Sequence, residues 1–217
     1  MSPAPSRRCR PAHPRGLPRL NAIVVFSAMA LATVLALPTA GSAQEAGLEP
    51  LRQGIHFSIG VGGGSLDATC GTCSVDLFED RLTGLSGNVR LGGAVTDRLV
   101  IAAEFLGWLN NEAPVYRRVA ALNLVFLGYP SSTSGFFVKG GVGGMRAIVE
   151  DDFILAQTDT FNSQFGIGFD IPLGAIALTP FANYIYTFAG ETTLNGIVSA
   201  EAVQPNEVQF GIALTVN

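Results

Sequence analysis

The sequence predicts an all-β protein, an eight-stranded antiparallel up-and-down transmembrane β-barrel that follows a cleaved signal peptide. Three observations predict this fold. Apolar residues recur at every second position from Gly54 onward, which is the period of a strand. Eight segments show this pattern, and their length of roughly 9 to 11 residues suits a tilted strand that crosses a bilayer. The connections alternate in size, as in barrels with tight turns at one end.

Residues 1–43 have the order of a secretory signal peptide. Five arginines lie within residues 7–19, an apolar run follows from Ala22 to Leu37, and small residues occupy positions 41–43. The run is too short and too rich in alanine for a comfortable membrane-spanning helix. We expect cleavage after Ala43 and a mature barrel over residues 44–217; an uncleaved anchor is the alternative.

Removal of this segment leaves an acidic chain. All 17 acidic residues follow Ala43, with eight of the 13 basic ones, so the mature net charge is −9. Nucleic acid is therefore not expected as a partner, because phosphate binding needs a basic surface.

Each predicted strand has one large apolar face and one small or polar face. In the first, Ile55, Phe57, Ile59 and Val61 alternate with His56, Ser58, Gly60 and Gly62. The fourth is weaker, and in the seventh Pro180 cannot donate a ladder hydrogen bond, so the strand must start there or bulge. In chain order the segments are 54–62, 85–92, 99–105, 119–129, 136–143, 164–171, 178–188 and 208–216. Short connections are expected at 96–98, 130–135 and 172–174, and long ones at 65–81, 110–117, 147–160 and 189–206.

The small and polar face is predicted to line the interior, because the large apolar face then meets lipid instead of water. Aromatic residues near the strand ends are placed for interfacial girdles. They are Tyr184, Tyr186 and Phe188 at one rim, with Phe126 and Phe136 at the other.

Three charged residues, Arg90, Glu104 and Lys139, fall on the polar face near the middle of their strands. Two cations around one carboxylate would neutralise each other in a narrow interior, where an unpaired charge is costly. A packing network that plugs the barrel is the first interpretation. A gate whose ion pairs open a narrow pore is the second.

Cys70 and Cys73 have the spacing of a redox motif, but no helix follows to stabilise a thiolate. We predict a small loop disulfide in an oxidising compartment, which constrains the unfolded chain by about 2 kcal/mol.

Catalysis and cofactor binding find little support. The glycine runs at 60–64 and 140–144 do not complete a nucleotide-binding pattern, so no cofactor is expected. The mature chain has a single histidine, His56, whose neighbour on the same face is Ser58. Both lie toward the periplasmic end, away from surface lipid, so neither a catalytic nor a metal site is predicted.

Acidic residues cluster in two of the predicted long connections. They are Asp76, Glu79 and Asp80 in the first and Glu150, Asp151 and Asp152 in the third. These carboxylates either bind divalent cations that bridge lipopolysaccharide or keep the surface solvated.

Residues 54–217 resemble the small outer-membrane barrels typified by the transmembrane domain of outer membrane protein A and by outer membrane protein X. The resemblance rests on strand count, alternation, loop asymmetry and the residues Arg90, Glu104 and Lys139, which are similar to that family's internal charges. It implies a cell outer-membrane location, contact with membrane lipid and lipopolysaccharide, and delivery by export and barrel-assembly machinery. The chain departs from the family pattern in ending at Asn217 instead of an aromatic residue.

The sequence predicts a structural or surface-interaction role, with a partner of the outer loops that it does not identify. A narrow gated pore and a lipid-modifying enzyme are the alternatives. Conductance that changes in Glu104→Gln would indicate the pore, and lipid deacylation lost in His56→Ala would indicate the enzyme.

Overall fold

A computed structural model describes residues 54–70, 81–151 and 153–216, without the side chains of residues 69, 70 and 199–202. The predicted signal peptide lies outside the described residues and stays a prediction. Within the described residues, no helix is long and apolar enough to span a membrane. The strands are β1 (Ile55–Cys70), β2 (Leu82–Thr96), β3 (Leu99–Glu112), β4 (Val115–Gly128), β5 (Phe136–Glu150), β6 (Leu155–Phe169), β7 (Ile171–Leu173), β8 (Ile176–Thr187), β9 (Gly190–Leu194) and β10 (Ile197–Val216).

All strand pairs are antiparallel, and the sheet closes on itself. The first strand pairs with the last, from Phe57 opposite Val216 to Cys70 opposite Val203. Strand β7 follows β6 and, like β6, pairs with β8. Strand β9 follows β8 and, like β8, pairs with β6 on one side and with β10 on the other. The ten strands therefore occupy eight positions in a ring, which confirms the predicted fold class.

The strands are longer than the sequence pattern indicated. Most contain 12 to 16 residues and β10 contains 20. The predicted long connection at 110–117 is wrong, because β3 and β4 are separated only by residues 113–114. The one at 147–160 shrinks to 151–154, and 189–206 is mostly the β9–β10 hairpin. Backbone pairing continues past the apolar segments because polar outward-facing residues do not interrupt a ladder.

Pro180 lies inside β8, opposite Ile212 of β10. On its other side the ladder is interrupted at Asp170, between the end of β6 and the start of β7. A proline is tolerated at this position because the break leaves no ladder bond for it to donate. The register is the same on both sides of this break, with Gly168 opposite Phe181 and Ile171 opposite Leu178. The strand therefore neither starts at Pro180 nor bulges around it, and that prediction is wrong.

The two faces of the sheet are placed as predicted. Phe165, Ile167 and Phe169 of β6 point outward, whereas Gln164 of the same strand is buried inside. The same alternation continues around the ring. Other outward-facing large apolar residues are Ile59, Val61, Leu91, Phe105, Leu124, Phe126, Val138, Tyr184, Phe210, Ile212 and Leu214.

The interior is less polar than predicted, because two apolar clusters share it with the polar residues. The terminal end is the end of the barrel where β1 begins and β10 finishes. The cluster toward that end contains Val100, Ala102, Val125, Leu127, Tyr129 and Phe137. The cluster toward the opposite end contains Leu66, Leu106, Trp108, Val119, Ala121, Met145, Ala147 and Ile185. Side chains thus fill the barrel above and below its middle.

Interior glycines make room for these side chains. A Cβ on Gly168 would overlap the ring of Phe137, and a Cβ on Gly64 would lie 2.6 Å from the indole of Trp108. Such glycines let large rings from facing strands occupy a narrow interior.

Candidate functional site

Glu104 of β3 is at the centre of the interior polar network, with no solvent exposure. Its Oε1 accepts hydrogen bonds from Asn88 Nδ2 (3.1 Å), Arg90 Nε (3.1 Å), Arg90 Nη2 (2.7 Å) and Lys139 Nζ (3.0 Å). Its Oε2 accepts from Lys139 Nζ (2.8 Å) and Gln164 Nε2 (2.8 Å). Four side chains from β2, β5 and β6 therefore converge on one carboxylate, which ties opposite walls of the barrel together.

Strand register explains why these residues meet. Arg90 lies directly opposite Glu104 in the β2–β3 ladder. Lys139 comes from β5 and Gln164 from β6. Gly166 lies opposite Lys139 in the β5–β6 ladder and leaves room for it, because a Cβ there would lie 3.1 Å from Lys139 Cε. The structure thus brings together the three charges singled out in the sequence. The arrangement leaves Glu104 without an unused lone pair that points toward a ligand.

The cations of this network are themselves enclosed. Arg90 is almost fully buried, and its guanidinium carbon lies 6.0 Å from the centre of the Phe137 ring. The Phe137 ring packs in turn at 5.4 Å from that of Tyr129. The aromatic pair closes the barrel on the terminal side of the network.

A second hydrogen-bond chain crosses the seam where the barrel closes. The Thr215 hydroxyl oxygen of β10 lies 3.1 Å from Ser58 Oγ of β1 and 2.9 Å from the Thr179 hydroxyl oxygen of β8. Thr179 donates to Asp170 Oδ1 at 2.7 Å, and the Tyr129 hydroxyl donates to Asp170 Oδ2 at 3.1 Å. This chain links the first and last strands to the turns of the terminal end.

This hydrogen-bond chain does not arrange His56 and Ser58 as a catalytic pair. His56 and Ser58 are both buried and point inward from β1, at the terminal end. The Ser58 hydroxyl contacts the Thr215 hydroxyl, so its contact is structural. Among the residues that the structure describes, no three His, Cys, Asp or Glu side chains are grouped so that they could hold a metal ion. The predicted Cys70–Cys73 disulfide and the cluster Asp76, Glu79 and Asp80 fall outside the described side chains.

Above the Glu104 network, Trp108 and Glu207 face each other across Gly64. The indole nitrogen and the Glu207 Oε1 lie 3.1 and 3.2 Å from the position of a Cβ on that glycine. Gln209 Nε2 donates to Glu207 Oε1 at 2.7 Å. Trp108 is fully buried and is the only tryptophan of the chain. At this level, therefore, the indole ring of Trp108 occupies part of the interior.

The outer wall has a group of polar residues on β4, β5 and β6, here called the charged collar: Arg118, Arg146, Glu150, Gln157 and Asp159. Arg118 Nη2 lies 2.7 Å from Glu150 Oε2. Arg146 contacts both Asp159 oxygens, at 2.6 and 3.1 Å, and Gln157 Nε2 donates to Asp159 at 2.8 Å. The four charged side chains are solvent-exposed, so each ion pair contributes little to stability.

Sequence reasoning missed several interior residues. Asn88 and Gln164 are polar residues in phase with the charged positions, but their hydrogen bonds to Glu104 were not predicted. Glu207 was missed because it lies between the predicted connection at 189–206 and the predicted last strand at 208–216. Leu106 and Trp108 lie on the same face of β3 as Glu104, because all three are at every second position. This spacing could have indicated that the interior also contains apolar side chains.

No family model matches the sequence, and no curated protein matches it. Three of the solved structures that are remotely similar to it are small barrels of bacterial surface or outer-membrane proteins. Neisserial surface protein A is 14% identical, with 74% of this chain and 96% of that chain covered, at a TM-score of 0.48. OprG of Pseudomonas aeruginosa is 11% identical over 76% and 98% of the two chains, at 0.49. The Ail protein of Yersinia pestis is 10% identical over 74% and 99%, at 0.46. These likenesses assign no role to this chain.

Proposed function

We propose that this chain is a non-conducting bacterial outer-membrane barrel that acts through the surface it presents outside the cell. The observation that carries the proposal is the Glu104 network, because six hydrogen bonds to one buried carboxylate hold the middle of the barrel closed. A barrel without a passage leaves its exposed end as the place where it can act.

The membrane location is supported by the outer wall. Large apolar side chains cover it from the terminal end up to the level of the charged collar, and such a surface is stable in lipid but not in water. On β6, Asp159 lies ten residues above Phe169. At about 3.3 Å per residue and a tilt of about 40°, this is about 25 Å, the height of the apolar band of an outer-membrane barrel.

The charged collar then meets the headgroup layer of the outer leaflet. Its guanidinium groups are suited to phosphate, and its carboxylates to the divalent cations that bridge lipopolysaccharide. Contact with membrane lipid and lipopolysaccharide is therefore part of the proposal. Export and barrel-assembly machinery would deliver the chain, and the outward alternation of Phe210, Ile212 and Leu214 in the last strand supports recognition of that strand.

Single-channel recording of the refolded mature protein in planar bilayers tests the closed interior. We expect no unitary conductance for the wild type. A stable conductance that changes in Glu104→Gln would overturn the proposal and favour the gated pore. The matched control is Glu150→Gln, which neutralises an exposed carboxylate of the charged collar and leaves the interior intact.

The enzyme alternative is tested separately, with lipopolysaccharide and phospholipid vesicles as substrates. We expect no acyl chain to be released. Release that is lost in His56→Ala and retained in Glu150→Gln would show that the buried His56 acts catalytically, and would contradict the surface role.

A further inference from the structure

We infer that the outer end of this barrel is a docking site for a cationic amphipathic peptide segment. The inference rests on the proposed surface role and names its class of partner. The site is the tip formed by two hairpin ends, the β5–β6 turn and the β9–β10 turn. Its members, here called the apolar tip, are Phe153, Ile154, Leu155, Ile197 and Val198.

The apolar tip exposes side chains that a soluble surface normally hides. Phe153 is 88% exposed, Ile197 75% and Val198 63%, while Ile154 and Leu155 are about half-exposed. Contiguous exposed apolar residues on a folded surface indicate a place of interaction. These five residues come from two hairpins that are distant in sequence, so the fold assembles the patch.

Hydrogen bonds fix the two hairpins to each other. Asn195 donates its backbone N–H to Leu155 O at 2.8 Å, and its Oδ1 accepts from Leu155 N at 2.9 Å. Asp151 Oδ1 accepts from the N–H groups of Phe153 and Ile154, at 2.7 and 2.6 Å, which shapes the β5–β6 turn. Asn195 and Gly196 both have positive φ, as a two-residue hairpin turn requires. The apolar tip is therefore held in place before any partner arrives, which lowers the entropic cost of binding.

The membrane of the same cell does not cover the apolar tip. Leu155 begins β6, fourteen residues from Phe169 at the terminal end. By the same rise and tilt it lies about 35 Å above Phe169, beyond an apolar band of about 25 Å. The charged collar, with the ion pair between Arg146 and Asp159, separates the apolar tip from the lipid-facing residues.

Charge identifies the partner. Near the two hairpin ends, the described residues include four carboxylates and two arginines of the charged collar, Arg118 and Arg146, which leaves a net charge of −2. The carboxylates are Glu150, Asp151, Asp159 and Glu191. Two of them, Glu150 and Asp159, are paired with arginines of the charged collar. An apolar centre in an acidic surround is complementary to a segment with one apolar and one basic face. The same charge repels an anionic vesicle and a second copy of this chain.

The test uses the mature protein in zwitterionic nanodiscs and a peptide of lysine and leucine with amphipathic helical spacing. A photo-crosslinking analogue, p-benzoylphenylalanine, replaces Phe153 in one variant. In the matched control it replaces Phe165, which faces lipid at the middle of the wall. A shuffled peptide of equal composition controls for net charge.

We expect the amphipathic peptide to crosslink at position 153 at least ten-fold more than at position 165, and the shuffled peptide to crosslink at neither. Ile197→Ser should reduce the yield at 153 several-fold, and Glu191→Gln should reduce it most strongly at low salt. The Ile197→Ser and Glu191→Gln variants must keep the heat-dependent mobility of the folded barrel.

Equal yields at the two positions would mean that the peptide only partitions into lipid, and would overturn the inference. Equal yields for the two peptides, or crosslinks between two barrels, would overturn it too. A barrel that is folded and non-conducting but captures no peptide would remove this inference and leave the proposed function standing. A conducting barrel would remove the proposed function itself.

Discussion

Neutralising the buried carboxylate is the most informative perturbation of this barrel. In Glu104→Gln the side chain keeps its shape but loses the charge that compensates Arg90 and Lys139. An NH2 group also replaces one of the two carboxylate oxygens. Both positions of the native carboxylate face donors, Arg90 and Lys139 at Oε1 and Lys139 and Gln164 at Oε2. In either orientation, the NH2 group of the glutamine therefore faces another hydrogen-bond donor.

The expected cost follows from the burial of the partners. Breaking a buried ion pair by removing one member costs about 3–5 kcal/mol, because it leaves an uncompensated charge. Exposed pairs contribute about 0–1 kcal/mol. Glu150→Gln, which breaks the exposed pair with Arg118, is therefore the matched control. Its free energy of unfolding should change by less than about 1 kcal/mol.

Urea unfolding from lipid vesicles measures both variants. Trp108, the only tryptophan, lies inside the barrel and reports its opening through its fluorescence. With a urea dependence of about 1–3 kcal/mol per M, a cost of about 3–5 kcal/mol should lower the Glu104→Gln midpoint by about 1–5 M.

A second substitution separates charge from packing. Lys139→Met removes one of the two buried cations, so it should recover part of the loss when combined with Glu104→Gln. We expect a coupling free energy of about 1–3 kcal/mol between the two positions. Equal effects of Glu104→Gln and Glu150→Gln, or additive effects of Glu104→Gln and Lys139→Met, would refute the conclusion that this network closes the barrel.

Further predictions concern packing and closure, with the same unfolding assay. Gly168→Val should destabilise the barrel by about 1–3 kcal/mol, because its side chain would overlap the Phe137 ring. Gly140→Val on the lipid-facing wall, where a Cβ meets nothing within 4 Å, should change stability by less than about 1 kcal/mol. Equal effects of the two would mean that the interior is not packed. Thr215→Val should cost about 1–2 kcal/mol by removing the hydroxyl that bridges β1 and β8, and Thr215→Ser should restore most of it. A Thr215→Val barrel as stable as the wild type would contradict a role in closing the seam.

The fold was predictable because the alternation of faces is strict where lipid meets the wall. Phe165, Ile167 and Phe169 alternate with Gln164 and Gly166 over the height of the apolar band, and one residue of slip would reverse every side chain. The pattern weakens above the charged collar, where both faces meet water. This is why 110–117 and 147–160 were predicted as loops, although the ladder continues through most of both.

The interior was predictable in charge but not in packing. Arg90, Glu104 and Lys139 stood out because a charge on an inward face needs a partner. Their other contacts depend on strand shear and on which side chains reach across the ring, and a single sequence does not contain that information. Trp108 fits inside only because Gly64 and Gly84 lie beside it, and these glycines come from other strands.

The apolar tip could not be found from the sequence. Leu155 and Asn195 are forty residues apart, and only the register of β9 against β6 brings them together. The acidic residues Glu150 and Asp151 were visible in the sequence, but nothing there indicated that they lie beside an apolar patch.

The central claim is a closed barrel with its apolar wall in the outer membrane. Electrophoresis of the membrane-extracted mature protein in SDS, with and without boiling, tests it most directly, because closed membrane barrels resist SDS until heated. The account predicts protein in the outer-membrane fraction and a change in mobility on boiling. Protein that is soluble in the periplasm and migrates identically in both samples would contradict it.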